Sequence, residues 1–276
     1  MKKERRALRI TESMMLLLSA VWFIPIYYLI VTTLKAPQDA VRAPLSLPLN
    51  PKFDNYLYAW QKMEYPRAFM NTFIITALSV GMIILLAGMA GYALARSHTI
   101  LSNRIFLFFL AGLIVPFQLN IVSLYRIVNG LRLMNSPAAV ILVNISINLP
   151  QAVFLLKEFI QSTIPKELEE AADIDGCGVF RKFFLIVFPL LKPVVSTVAI
   201  ITTLNVWNEF LTPLLFLHTR DKGVILQEVA RNIGQFSVDW TSMFPMMLLG
   251  AAPLIIFYVF MQKYIISGVA AGAVKG

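Results

Sequence analysis

Residues 164–178 read IPKELEEAADIDGCG, and this stretch decides how the rest of the chain is laid out. Six acids fall between Glu158 and Asp175 (Glu158, Glu167, Glu169, Glu170, Asp173, Asp175), yet apolar runs flank the segment on both sides. Pro165 suits a first helical turn, where a missing N–H costs nothing. The three glutamates that follow favour the positive end of a helix dipole, and Gly176 is a natural helix stop. The pattern predicts a helix of about ten or eleven residues, near 16 Å long, too short and too charged to cross a bilayer. By the 3.6-residue period Leu168, Ala171, Ala172 and Asp175 share one face, small in its middle and shaped to enter a cleft. A helix resting on lipid would turn Lys and Arg towards anionic headgroups. An acidic helix better suits a protein groove edged with basic groups, although spacing alone leaves both readings open.

Outward from that segment the chain is apolar. Of its 276 residues 58% are hydrophobic and 14% charged, and the mean hydropathy is +0.72, beyond the range of ordinary soluble domains. Uncharged runs cover Ser13 to Leu34, Ala68 to Ala95, Ile105 to Tyr125, Leu133 to Leu156 and Trp240 to Gln262. Each reaches the ~20 residues that span a 30 Å hydrocarbon core. A sixth run is split by Lys192, so that span must begin before the lysine, whose long stem reaches the interface. The expectation is an all-α, polytopic membrane protein with six transmembrane helices, at about 13–34, 69–95, 105–126, 135–157, 186–209 and 241–263. A tail over 1–12 precedes a single transmembrane domain over 13–276, with the acidic segment at about 158–185.

The basic start MKKERRALR followed by apolar residues imitates a signal peptide, but the 22-residue core exceeds the usual h-region, so it is expected to be a retained first span. Five Lys or Arg among the first nine residues place the N-terminus in the cytoplasm. Six spans return the C-terminus to the same side, with 14 Lys and Arg inside and 10 outside. The formal net charge of +9 needs no nucleic acid, because headgroup contact accounts for it.

One cysteine, Cys177, and two distant histidines, His98 and His218, leave no metal-ligand set and no disulfide, so no metal site is expected. No phosphate-binding G-x-x-x-x-G-K-[ST] loop occurs. No ionisable residue stands at mid-span, as an ion-coupled carrier would need, and no nucleophile–base pair lies at depth for an intramembrane hydrolase. No catalytic residue is assigned.

Glu170-Ala171-Ala172, then Gly176 after three residues, Ile186 after nine more and Phe188-Pro189 after one more, resemble the EAA signature of ABC importer permeases. Phe188 stands where the family usually has Leu. The wider phrase ELEEAADIDG…FRKFFLIVFPLLKP is similar to the carbohydrate branch, that of the maltose and glycerol-phosphate permeases, and to its smaller six-span subunit with the MetI-like fold. FMNTFIITALSVGMIILLAGMAGYALAR, VPFQLNIVSLYRIVNGLRLMNSPAAVIL, TLNVWNEFLTPLLF and SGVAAGAVKG agree, so the resemblance runs from about Phe69 onward.

The resemblance implies a permease of the bacterial inner membrane without catalysis of its own. Its partners would be a second homologous permease, two ATPases that bind ATP-Mg, and an extracytoplasmic substrate-binding protein. It implies that the acidic helix seats on the ATPase through Glu170, Ala171, Ala172, Asp175 and Gly176, with Lys275 and Gly276 as further contacts. The loop Thr219 to Asp239 would face the binding protein. The alternatives are a non-sugar importer permease and an ion-coupled carrier.

Polar groups inside spans are costly unless paired or wet. Asn144, Asn148 and Gln151 share a face of span four, Gln118 and Asn120 flank a kink expected at Pro116, and Asn205, Trp207, Asn208 and Glu209 close span five. Ring surface beside amides is how sugars are held, so these residues are candidates for the substrate pathway. Interhelical hydrogen bonding and interface anchoring explain them equally well. On span two, Ala87, Gly91 and Ala95 form a small-residue face suited to close helix packing.

Overall fold

A computed structural model describes the backbone of residues 2–233 and 239–273, and side chains at 8, 11–233 and 239–262. The elements are α1 (Lys2–Thr33), α2 (Pro37–Arg42), α3 (Asp54–Lys62), α4 (Tyr65–Arg96), α5 (Ile100–Ile114), α6 (Ile121–Gly130) and α7 (Pro137–Thr163). They continue with α8 (Glu167–Ile174), α9 (Val179–Lys182), α10 (Phe188–Leu190), α11 (Lys192–Trp207), α12 (Leu211–Phe216), α13 (Ile225–Arg231) and α14 (Trp240–Ala273). No strand occurs among the described residues. Four helices are long and apolar enough to cross a membrane, and up to six spans result if each of two bent pairs counts as one.

The bent pairs fall in the expected spans at 105–126, where a kink at Pro116 is expected, and at 186–209, where none is. Helix α5 stops at Ile114, and Phe117–Gly130 leaves at 97°. Pro116 lacks an N–H for the turn before it and pushes Val115 to extended backbone (ψ 116°). In the fifth region Val179–Leu190 meets Lys192–Trp207 at 79°. There Pro193 has no N–H to offer the carbonyl of Pro189, and a π-helical stretch at Phe183–Val187 lies just upstream.

The chain forms two compact units, residues 1–65 with 228–252, and residues 66–227 with 253–276. In the first unit the end of α1 is sealed by its own loop. Asn55 Nδ2 donates to the carbonyls of Thr33 and Lys35 (2.9 Å each), and the Lys52 N–H donates to Leu34 O. These bonds satisfy carbonyls that a helix C-terminus leaves open. Lys35, only 2% exposed, donates through Nζ to the carbonyls of Ala43 and Pro44 (2.6 and 3.0 Å). Burial holds its ammonium below the ordinary lysine pKa, with Asp39 pulling the other way.

The second unit carries the larger core. Ile83, Ala87, Leu156, Ile160, Phe183, Val187, Leu191 and Val198 pack into one cluster. Ala87 and Ala95 on the small face of α4 are buried, and a Cβ on Gly91 would sit 3.1 Å from the Lys157 backbone nitrogen. Small residues are what let α4 and α7 approach so closely. A second cluster joins Ile75, Val140, Val143, Val206, Phe216 and Leu217.

Candidate functional site

Helix α8 is shorter than the sequence suggested, running from Glu167 to Ile174 with Lys166 and Asp175 as its flanking caps. Its stop is built as expected from Gly176, whose φ of +74° is the left-handed conformation glycine adopts at least cost. The Cys177 N–H donates to Ala172 O (2.9 Å) and the Gly176 N–H to Asp173 O (3.0 Å), the paired closing bonds of a Schellman motif.

The helix turns Glu169 and Ala172 into the protein, where they are 7% and 5% exposed. Ala172 thus packs against its own chain while Ala171 beside it is exposed. Glu167, Glu170, Ala171 and Ile174 point away from the body, and Ile174 is 88% exposed. Asp175 and Gly176 are exposed at the helix end. An acidic, partly apolar outer face and a buried inner face divide one eight-residue helix between them.

Glu169 anchors the inner face. Its Oε2 accepts from the Tyr92 hydroxyl (2.8 Å) and its Oε1 accepts from Arg96 Nε (2.7 Å), with Arg96 Nη2 also 2.7 Å from Oε1. Arg96 Nη2 donates in addition to Ile164 O (2.9 Å). A largely buried carboxylate held by a guanidinium and a phenol is fully satisfied, and removing one member would strand a charge. Lys182 Nζ reaches Asp173 Oδ1 (2.6 Å) from α9, but that carboxylate is exposed and the pair contributes little. Sequence reasoning missed Tyr92, Arg96 and Glu169. The available signal was that Gly88, Tyr92 and Arg96 repeat at i, i+4, i+8 on one face of α4.

Of the polar residues within the spans, the structure joins some and separates others. Asn148 Nδ2 donates to Asn144 O (2.9 Å), and Asn205 Nδ2 donates to Asn148 Oδ1 (3.0 Å), linking α11 to α7. Asn144 Nδ2 and Thr76 Oγ1 are buried without a protein partner. With Trp207 and Glu209 they line a cavity of about 10 Å³, room for a single water. Trp207 is 7% exposed and packs edge-on against Phe69 at 6.1 Å, so it offers no open ring face to a sugar here. Glu209 Oε1 accepts from the Thr212 N–H (2.9 Å) and caps α12. Asn205 on α11 and Asn208 at its C-cap are exposed. Gln118 and Asn120 are exposed at the bend after α5, apart from this group, and Asn120 lines a separate apolar recess of about 670 Å³.

The loop after α12 is pinned more firmly than a surface-resting segment. Asn135, at φ +56°, accepts through Oδ1 from the His218 N–H, the Thr219 N–H and the Thr219 hydroxyl (3.1–3.2 Å). Its carbonyl accepts from Lys222 Nζ (2.8 Å). Asn71 Nδ2 donates to the carbonyls of Asp221 and Gly223, Thr72 Oγ1 accepts from the Ile225 N–H, and Gln227 Nε2 donates to the carbonyls of Pro213 and Leu217. Lys275, Gly276 and the stretch 234–238 of the expected partner-facing loop lie outside the described residues.

Residues 83–271 match the family described as the binding-protein-dependent transport system inner membrane component. The chain is 35% identical to the melibiose/raffinose/stachyose import permease protein MelC of Bacillus subtilis over 271 residues, 98% of each chain. It is 30% identical to the diacetylchitobiose uptake system permease protein NgcG of Streptomyces coelicolor, over 99% of this chain and 90% of that one. It is 31% identical to the arabinooligosaccharides transport system permease protein AraQ of Bacillus subtilis, over 95% and 93%. In fold it resembles a chain in the crystal structure of a bacterial ABC transporter involved in the import of the acidic polysaccharide alginate, with a TM-score of 0.83 at 17% identity, covering 94% of this chain and 96% of that one. A bent-helix membrane architecture, an EAA helix anchored on α4 and full-length similarity to transport permeases agree, and the chain belongs to the family of binding-protein-dependent transport system inner membrane components.

Proposed function

We propose that this permease imports an oligosaccharide, driven by separate ATPase subunits that bind ATP-Mg and grip α8. Both termini lie in the cytoplasm, the domain over 13–276 crosses six times, and a second permease and an extracytoplasmic binding protein complete the transporter. One observation carries the coupling role: α8 buries one side in its own chain and leaves Glu167, Glu170, Ala171 and Ile174 facing out. Exposed Ile174 in an acidic setting suits a groove with an apolar floor and basic rim. Glu170 supplies the charged contact, while Asp175 and Gly176 form its edge. The sugar class rests on the relatives, whose names specify oligosaccharides. Asn205 on α11 and Asn208 just after it supply polar surface that would face the second permease, and Asn144 and Asn148 back it from α7.

Affinity purification of the full chain in mild detergent tests the assembly, and uptake of radiolabelled raffinose tests the substrate class. Wild type should bring down an ATPase and a second permease. Glu170→Lys, an exposed change within about 0.5 kcal/mol of neutral for folding, should insert normally and lose the ATPase. Full recovery of the ATPase with Glu170→Lys would remove α8 as the docking helix.

A further inference from the structure

We propose that Tyr92, Arg96 and Glu169 are positioning residues that make α8 and the end of α4 one mechanical body, so that force on α8 enters the membrane through α4. The inference rests on the coupling role proposed for α8 and extends it by naming the span that receives the movement. By chain order α8 leads to α9, the π-helical turn and then α11, and a push transmitted along the backbone would go there. Side-chain contacts run elsewhere. Glu169 is 7% exposed and takes bonds from both Tyr92 and Arg96, and Arg96 also holds the carbonyl of Ile164 just before the helix. The helix is thus gripped at its first turn and at its approach by a single α4 residue.

A second contact continues the grip into the bilayer. Phe183, 2% exposed, lies 5.6 Å from the Tyr92 ring and closes over Gly88, where an added Cβ would meet its Cζ at 3.2 Å. Gly88, Tyr92 and Arg96 lie on one stripe of α4, so the stripe is covered by Glu169 of α8 and by Phe183, the first residue of the π-helical stretch. The π-helical Phe183–Val187 stretch and the 79° bend at Leu191 stand between α8 and α11. Those are places where a helical path yields. The path to α4 has no such interruption.

Distance measurement by double electron–electron resonance tests this on the full chain in its purified complex. Labels go at Asp173→Cys, on α8 but outside the docking face, and at Met82→Cys in a Cys177→Ser background, with and without ATP. In wild type the α8–α4 distance should stay constant as ATP is added. In Arg96→Ala its distribution should broaden about two-fold, since α8 then keeps of the clamp only the Tyr92 bond, with Arg96→Lys in between. Uptake should fall about ten-fold more than ATP hydrolysis does, as loss of a coupling interaction requires. A wild-type distance that shifts with ATP, or an Arg96→Ala distribution as narrow as wild type, would overturn the inference. Should Arg96→Ala fail to accumulate, Tyr92→Phe carries the test: it keeps the ring against Phe183 and drops one bond, and an unchanged width again overturns the proposal. Absence of any ATPase in the wild-type preparation would refute the coupling reading, while the distance widths of the chain alone would still decide the clamp.

Discussion

Helix α8 and the loop from Leu217 to Gln227 are both non-spanning pieces of the larger unit, yet they are held by opposite means. The loop is stitched by amides and a hydroxyl from the turn before α7 (Asn135), from α4 (Asn71 and Thr72) and from α13 (Gln227), mostly onto backbone groups. Each bond is short-range and directional, so displacement of the loop breaks many at once. Helix α8 is held on one face by a single ionic cluster, and its other face is open. A segment that must receive force from another protein needs a free face and one stiff joint. A segment fastened along its length at several points resists displacement. Under the proposed coupling role, the contrast separates a lever from a fixed wall.

The largest break in that contrast should come from Gly176→Pro. Proline cannot take φ +74° and removes the N–H that closes on Asp173, which together cost about 3 kcal/mol or more. The exit of α8 is lost, and uptake should be abolished while the loop's backbone protection in hydrogen exchange stays as in wild type. On the other side, Asn135→Ala removes the acceptor of three bonds and puts at φ +56° a residue that tolerates the left-handed region less well than asparagine. A loss of roughly 2–3 kcal/mol is expected, read as a thermal midpoint several degrees lower in detergent, with ATPase recovery unchanged. Asn135→Gly, which relieves the backbone alone, should recover about 1 kcal/mol of it.

Thr72→Val sharpens the comparison more gently. It strands the buried Ile225 N–H at a cost of about 1–2 kcal/mol, visible as faster exchange at Ile225 and nowhere on α8. The smallest effect concerns acid. The hydrogen bond from Thr219, helped by Lys222 and Arg67, holds the Asp221 carboxyl below its ordinary pKa. A depressed folded pKa contributes stability above the unfolded value, near 3.9, and loses it as pH falls through the folded one. Loosening of the loop below about pH 4 should therefore be weaker in Asp221→Asn than in wild type. An equal acid response in both would show that Asp221 plays no part in holding it.

Much of this arrangement is legible in local pattern. The uncharged runs mark the spans, because hydrocarbon tolerates charge so poorly that long gaps between charges are informative. Gly176 announced the stop of α8, since few other residues accept a left-handed turn without strain. Pro116 announced the break after α5, although not its 97° size. The acids of α8 could not be sorted in the same way. Glu169 and Glu170 are chemically alike neighbours, and only the approach of Arg96, 73 residues earlier in the chain, turns one inward and leaves the other free. Trp207 likewise looked like a sugar platform, because aromatic surface beside amides has the same composition whether it lines a cavity or packs against Phe69.

Sequence by itself thus determined that the chain is helical, membrane-bound and equipped with a short acidic helix ended by glycine, because hydropathy, helix period and backbone freedom are properties of consecutive residues. Only the tertiary structure decided which face of that helix is buried, which span grips it and which amides pair. Those outcomes depend on distances between residues far apart in the chain, and a buried charge goes wherever its partner happens to be.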